Sequence, residues 1–350
     1  MMNQKLSSGQ LQTVTGIIQA EEMGMTLVHE HLFNDLSSVV DEPYFKFSNE
    51  LVGKKVEPSL MYGLRQDPYC NADNMSEKDT SDVVFEVNHY AELGGKTIVD
   101  ATGTEAIGRN PKKLLEVANQ TGLNVVMSSG HYLEKFEGKR ITAQSIDKIA
   151  EGIDNDINSG VQGTEIKAGM IGEIGVSPFF TDGEKASLTA AAVAQTNNPT
   201  VALNIHMPGW QRRGDEVLDI VFKEGVKPEK VSLAHSDPSG CDVEYQHRML
   251  DKGIWLEFDM IGLDITFPKE GVSPSVNETV KCVSSLIKEG YTDQLLLSHD
   301  LFLKQMWTKN GGNGFAFVPT VFIDLLKAEG VGEEDLHKLL YENPIAVLTK

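Results

Sequence analysis

Eight short apolar runs recur along the 350-residue chain, separated by segments with the spacing of amphipathic helices. The runs span 25–31, 97–102, 124–130, 168–175, 200–206, 231–235, 254–259 and 294–300. Many are nearly continuous, which suits strands covered on both faces rather than half-exposed hairpins. Helical patterns occupy 81–93, 111–121, 145–159, 184–197, 211–224, 242–252 and 277–289. Strands alternating with helices build parallel βα units. Most successive runs end roughly 25–45 residues apart, the interval a (β/α)8 TIM barrel requires. The expected fold is therefore α/β, with residues 1–350 forming a single barrel domain. The exception is 41–80, rich in Asn, Pro, Tyr and charge, which reads as an insertion after strand 1 that covers the barrel mouth. A final helix is expected from near Glu333 to Asn343, where Pro344 should stop it.

Composition narrows the partners. Hydrophobic residues make up 40% and charged residues 23%, which suits a globular core. Lys and Arg number 31 against 51 Asp and Glu, a formal net charge of −20. That balance excludes nonspecific binding to nucleic acid or to an anionic membrane surface. Cys70, Cys241 and Cys282 lie far apart with no CxxC, so neither a disulfide framework nor a thiolate zinc site is expected. Residues 1–10 are polar, and no run of 18 apolar residues occurs, so a soluble, cytoplasmic protein is expected.

The chemistry lies where the apolar runs end. His29 and His31 sit at i and i+2, on one face of a strand. Glu173 ends the fourth run, His206 the fifth, His235 the sixth and Asp300 the eighth. A single histidine at a strand end is more often a hydrogen-bonded structural residue. The whole set is another matter, because the C-terminal ends of barrel strands converge on one mouth. Four imidazoles and two carboxylates suffice for two divalent metal ions, which polarise ester oxygens and generate hydroxide at neutral pH. Zinc is expected first, with Mn, Co or Fe also compatible with mixed nitrogen and oxygen ligands.

Several stretches resemble the phosphotriesterase-like family of the amidohydrolase superfamily. They are GMTLVHEHLF at 24–33, AGMIGEIGVS at 168–177, HMPGW at 206–210, LAHSDPSG at 233–240, LEFDMIG at 256–262, LLSHD at 296–300 and LLYENPIAVL at 339–348. The resemblance covers nearly the whole chain in order. It implies a distorted barrel with a binuclear centre. His29, His31 and Asp300 would hold a buried metal, and His206 and His235 a more exposed one. Many members bridge the metals with a carboxylated lysine. Here the matching stretch has no lysine, and Glu173 takes the place; Lys167, ahead of the strand, is the rival.

The mechanism so implied is attack of a metal-bridging hydroxide on phosphorus or a carbonyl carbon. Asp300 would accept the proton, and His235 with Asp237 would carry it outward. Asp237 is alternatively a helix N-cap. His131 and Tyr132 are the candidate substrate contacts. Trp210, Trp307, Met260, Ile261, Phe315 and Phe317 are candidate apolar walls. His299 should face away from the site. Arginine is sparse, and the loops after strands seven and eight offer only Lys269, Lys304 and Lys309, which disfavours a phosphorylated substrate. The expected activity is hydrolysis of small-molecule organophosphorus (phosphate or phosphonate) or simple carboxylate esters. A lactonase is the alternative, and a non-catalytic barrel that retains metal and binds a ligand is the rival of another class. By analogy with the family, a homodimer is expected.

Overall fold

The computed structural model describes residues 6–350. Eight parallel strands, hydrogen-bonded in sequence order, form the expected barrel sheet. They are β1 Met25–Glu30, β2 Gly95–Asp100, β3 Asn124–Ser129, β4 Met170–Gly175, β5 Ala202–His206, β6 Val231–Leu233, β7 Trp255–Phe258 and β8 Leu295–Leu297. Just beyond β8, Asp300 N–H donates to His29 O at 3.2 Å and draws the last strand to the first. The surrounding helices are α1 Thr80–Glu92, α2 Pro111–Thr121, α3 Ile146–Asn158, α4 Asp182–Asn197, α5 Gly214–Lys223, α6 Val243–Leu250, α7 Val276–Lys288 and α8 Ile323–Ala328. Their starts are written locally: Asn110 caps α2 ahead of Pro111, and capping boxes open α4 (Thr181, Glu184) and α7 (Ser275, Glu278). Among the described residues no helix is long and apolar enough to cross a membrane.

Side-chain alternation sorts the strands into two apolar cores. Outward residues such as Leu27, Ile98, Ile171, Leu203 and Leu256 pack against the helices. Inward residues Val28, Val99, Val126, Met170, Ala202, Trp255 and Leu296 fill the barrel floor. That floor is sealed by Leu11 and Met23 from the N-terminal side and by Val347 and Leu348 from the last helix. A hairpin, Gln10–Thr13 with Gly16–Gln19, underlies it. Gly9 N–H donates to Thr349 O at 2.8 Å, and Lys230 Nζ donates to Val347 O at 3.0 Å.

Two bulges break the alternation just below the mouth. Leu27 pairs with Ile98 but Glu30 with Asp100, so three steps on β1 match two on β2. Ile171 pairs with Leu203 but Ile174 with Ile205, the same mismatch on β4. A bulge shifts side-chain phase and re-aims the residues beyond it. Thus Val28 and His29 both reach the interior, Glu30 turns outward, and Glu173 points in while Ile174 packs outside. Gly172 makes the second bulge possible: its φ is +140°, and a Cβ there would stand 2.6 Å from Asn204 O.

The expected insertion is present between β1 and α1. It carries short helical turns, including Lys46–Glu50, Met61–Leu64 and Ala72–Met75, around a small core of Leu51, Leu60, Leu64 and Cys70. The expected stop at Pro344 is not observed. The tail runs from Glu333–His337 through a wide π turn, Lys338–Glu342, into Asn343–Thr349. The wide turn resets the hydrogen-bond register, so Pro344 sits in the first turn of a new α segment, where no N–H is needed.

Gly172→Ala is expected to destabilise the fold by about 2–3 kcal/mol, because the added methyl meets backbone that cannot retreat. Denaturant unfolding within about 0.5 kcal/mol of wild type would show that the close approach is not required.

Candidate metal centre

The strand ends bring all six predicted ligands together at the C-terminal mouth. His31 Nε2 lies 3.1 Å from Asp300 Oδ1 and 3.3 Å from Glu173 Oε1. Glu173 Oε2 lies 3.0 Å from His206 Nδ1, 3.5 Å from His235 Nε2 and 3.5 Å from His29 Nε2. The two oxygens of Glu173 therefore face different ligand sets. His29, His31 and Asp300 form one group close enough to share an ion, and His29, Glu173 and His235 another. Side-chain exposure grades across the cluster, from 0% at His29 to 17% at His206. Lys167, the rival bridge, does not line the cavity.

Each buried imidazole is aimed from behind. His29 Nδ1 donates to Glu257 Oε1 at 2.9 Å, and His235 Nδ1 to Asp259 Oδ1 at 2.9 Å. His31 Nδ1 meets Thr102 Oγ1 at 2.9 Å. Fixing the proton on Nδ1 leaves the Nε2 lone pair directed at the centre, as metal-binding histidines require. Glu257 is itself held by Asn204 Nδ2 at 2.7 Å. Glu257 and Asp259 were not assigned from sequence. Their signal was there: two acids at i and i+2 within an apolar strand share a face.

Whether this set suits a cation can be judged from its own atoms. His29 Nε2 is buried and makes no hydrogen bond among the described residues. Glu173, Glu257, Asp259 and Asp300 crowd the same small volume, all buried. Nitrogen lone pairs and carboxylate oxygens in this mixture match divalent transition metals, and the residues fit the binuclear group. Electrostatics agree. Burial alone would depress His29, but Glu173 and Glu257 carry it well above the usual histidine range. His31 reaches about 9, with burial opposed by Asp300 and Glu173. Burial favours the acid form of Glu173, yet His206, His235 and His29 hold it well below the carboxylate norm. The cluster thus concentrates negative charge where positive charge is best accommodated.

Two of the predicted ligands occupy left-handed backbone, His235 at φ 57° and Asp300 at φ 54°. Each costs about 1–2 kcal/mol for a residue with a Cβ. Neighbouring carboxylates hold the geometry. Asp259 accepts from both the backbone N–H and the ring of His235. Glu30 accepts from His299 N, His299 Nδ1 and Leu301 N, on either side of Asp300. His299 is structural as expected: its Nε2 accepts from Val318 N–H at 2.8 Å. Asp237 does not cap the sixth helix, a role filled by Asp242. Its carboxylate accepts from Asp259 N and Met260 N, and burial together with the Asp259 charge pushes it up to about 8.

Above the cluster lies a cavity of about 600 Å³. Tyr132 lines it, with its hydroxyl 3.5 Å from His206 Nδ1. His131 does not, which corrects its reading as a substrate contact. Its Nδ1 is drawn to Glu137 at 2.9 Å, and the ring turns away. Of the candidate walls, Trp210 and Met260 face the cavity. Trp307 and Phe315 are buried in the outer core, while Ile261 and Phe317 do not reach the cavity. Tyr69, Phe267 and Phe302 also line it and had no sequence signal beyond being aromatic.

A family model describing the phosphotriesterase family matches residues 9–348. The chain belongs to the phosphotriesterase family. It is 32% identical to an N-acetyltaurine hydrolase of Danio rerio, over 97% of this chain and 98% of that protein. Among solved structures, a resiniferatoxin-binding protein from Rhodobacter sphaeroides superposes with a TM-score of 0.95 at 39% identity, covering 98% of this chain and 96% of that one. A phosphotriesterase homology protein from Escherichia coli, solved with phosphate in its active site, gives 0.77 at 26% identity, covering 93% and 98%. The expected family is thus confirmed over almost the full length.

Glu257→Gln keeps the size of the side chain but weakens the hold on His29. Metal retention in competition with a chelator is expected to fall about 10–100-fold. Unchanged retention by elemental analysis would remove Glu257 from the supporting shell.

Proposed function

We propose that this chain is a metal-dependent hydrolase of neutral esters, either organophosphorus (phosphate or phosphonate) or simple carboxylate esters. The observation that carries the reading is Glu173, whose Oε1 faces His31 while Oε2 faces His206, His235 and His29. In this reading His29, His31 and Asp300 would hold a buried ion and His206 and His235 a more exposed one, with Glu173 between the two sets. Zinc is the first cation to test. When bound, such ions polarise a carbonyl or phosphoryl oxygen and acidify water at neutral pH.

The remaining steps belong to the chain. Asp300, with Oδ1 3.1 Å from His31 and Oδ2 3.9 Å from His235 Nδ1, accepts the proton released on attack. The left-handed backbone at Asp300 aims that carboxylate into the mouth. Tyr132 is held in its phenol form, because burial and the Glu173 charge both oppose ionisation. It can therefore donate to a substrate oxygen beside His206. The apolar walls exclude bulk water and strengthen each of these interactions.

A second reading, hydrolysis of a small N-acyl amide, is favoured by the full-length likeness to N-acetyltaurine hydrolases. A panel of 4-nitrophenyl butyrate, a methylphosphonate ester, a lactone series and N-acetyltaurine, run with zinc-loaded protein, separates the possibilities. Ester turnover that chelation abolishes is the expected result. Turnover of lactones alone, or of N-acetyltaurine alone, would replace the leading reading. No turnover at all would favour a ligand-binding barrel.

Two substitutions probe the assigned roles. Asp300→Asn should keep the far-UV signature and lose about 10²–10⁴ in kcat. Glu173→Ala should drop metal content well below two ions per chain. If it keeps two tightly bound ions, the bridging assignment is wrong.

A further inference from the structure

Four aromatic side chains from four distant loops meet in the cavity beside the proposed metal centre. Tyr69 comes from the insertion, Trp210 follows β5, Phe267 follows β7 and Phe302 follows β8. Their rings form a connected series. Trp210 and Phe267 lie 5.9 Å apart, Phe267 and Phe302 6.4 Å, Tyr69 and Phe267 5.4 Å, and Tyr69 and Phe302 6.4 Å. Phe302 in turn meets the His31 ring edge-on at 6.4 Å. The wall thus begins at a proposed ligand and runs outward.

Ordinary core packing would bury all four. Only Phe267 is buried, at 3% exposure. Tyr69, Trp210 and Phe302 are half-buried and leave ring surface open to the cavity. The Tyr69 hydroxyl has no hydrogen-bond partner among the described residues and stays protonated, because burial and nearby carboxylates oppose its ionisation. It is a free donor set in an apolar surface, the pattern of a small-molecule site.

The charges around the cavity restrict the ligand further. Among the described residues that line the cavity there is no arginine. Lys269 is spent on Asp41, at 2.7 Å. Glu184 is occupied by backbone N–H groups of Ser177, Thr181 and Glu134, and Glu134 by the Thr181 hydroxyl. That leaves Lys135 as the one lysine without an ion pair among the described lining residues, and its Nζ lies over the Phe136 ring, 5.1 Å from the centroid. A sulfonate or phosphate tail finds no bidentate partner here.

Resting on the hydrolase reading above, we infer that the substrate is a neutral ester whose large aryl group seats on the Tyr69–Trp210–Phe267–Phe302 wall. An aryl ring gains offset or edge contacts there, and a cavity of this size accepts more than one ring.

The test uses Trp210, since Trp255 and Trp307 are buried away from the cavity. Tryptophan fluorescence of the zinc-loaded full chain is titrated with 4-biphenylmethanol, cyclohexylmethanol and biphenyl-4-sulfonate, none of which can be hydrolysed. The first should give a saturable change that Trp210→Phe abolishes. The second and third should bind about ten-fold more weakly or worse. In parallel, kcat/KM for 4-biphenylmethyl acetate should exceed that for ethyl acetate by about 100-fold. Phe267→Leu should cut that ratio about ten-fold. Equal or tighter binding of the sulfonate, or equal turnover of the two acetates, overturns the inference and leaves the hydrolase reading intact. Saturable binding of 4-biphenylmethanol with no ester turnover supports the wall while the hydrolase reading fails.

Discussion

Carboxylates crowded into a buried space repel one another, and only nearby positive charge makes the arrangement stable. Glu173, Glu257, Asp259 and Asp300 lie in such a space, interleaved with four imidazoles. Everything else at this end of the barrel serves to keep that crowd in place. Three of those histidines, His29, His31 and His235, gain proton affinity from the acids around them, and the same field that attracts protons attracts divalent cations. The backing carboxylates Glu257 and Asp259 fix which nitrogen of His29 and His235 looks inward.

Regular strands could not deliver this geometry. Strict alternation would send Glu173 outward and Ile174 inward. The bulges on β1 and β4 exchange those phases at the level where the floor of the barrel gives way to its mouth. Left-handed backbone at His235 and Asp300 performs the same task where β6 and β8 end. The strain is local, and the acids that accept from neighbouring N–H groups hold it. Regular packing below and irregular backbone above divide the labour between stability and chemistry.

Much of this was legible in the chain. Continuous apolar runs alternating with helical periods announce a parallel barrel, and the polar residues that end those runs mark the mouth. Other features depend on contacts between distant parts of the chain that no local pattern reports. His131 and Tyr132 are neighbours, and which one faces the cavity is decided by Glu137, on the next turn of the chain. Glu257 and Asp259 were hidden by the apolar strand around them. Tyr69, Trp210, Phe267 and Phe302 meet only because four separate loops fold over one opening. Pro344 misled because a proline breaks a helix only where an N–H was needed, and the preceding π turn had already shifted the register.

The hydrogen bond between Gly9 and Thr349 has an architectural corollary. Both ends of the described chain meet beneath the floor, on the side opposite the chemistry. A short peptide could join them without spanning the molecule, while new ends opened on the far side would leave each strand beside its present neighbours. The barrel is thus a candidate for circular permutation, in which the order of its strands is rewritten and the mouth is left untouched.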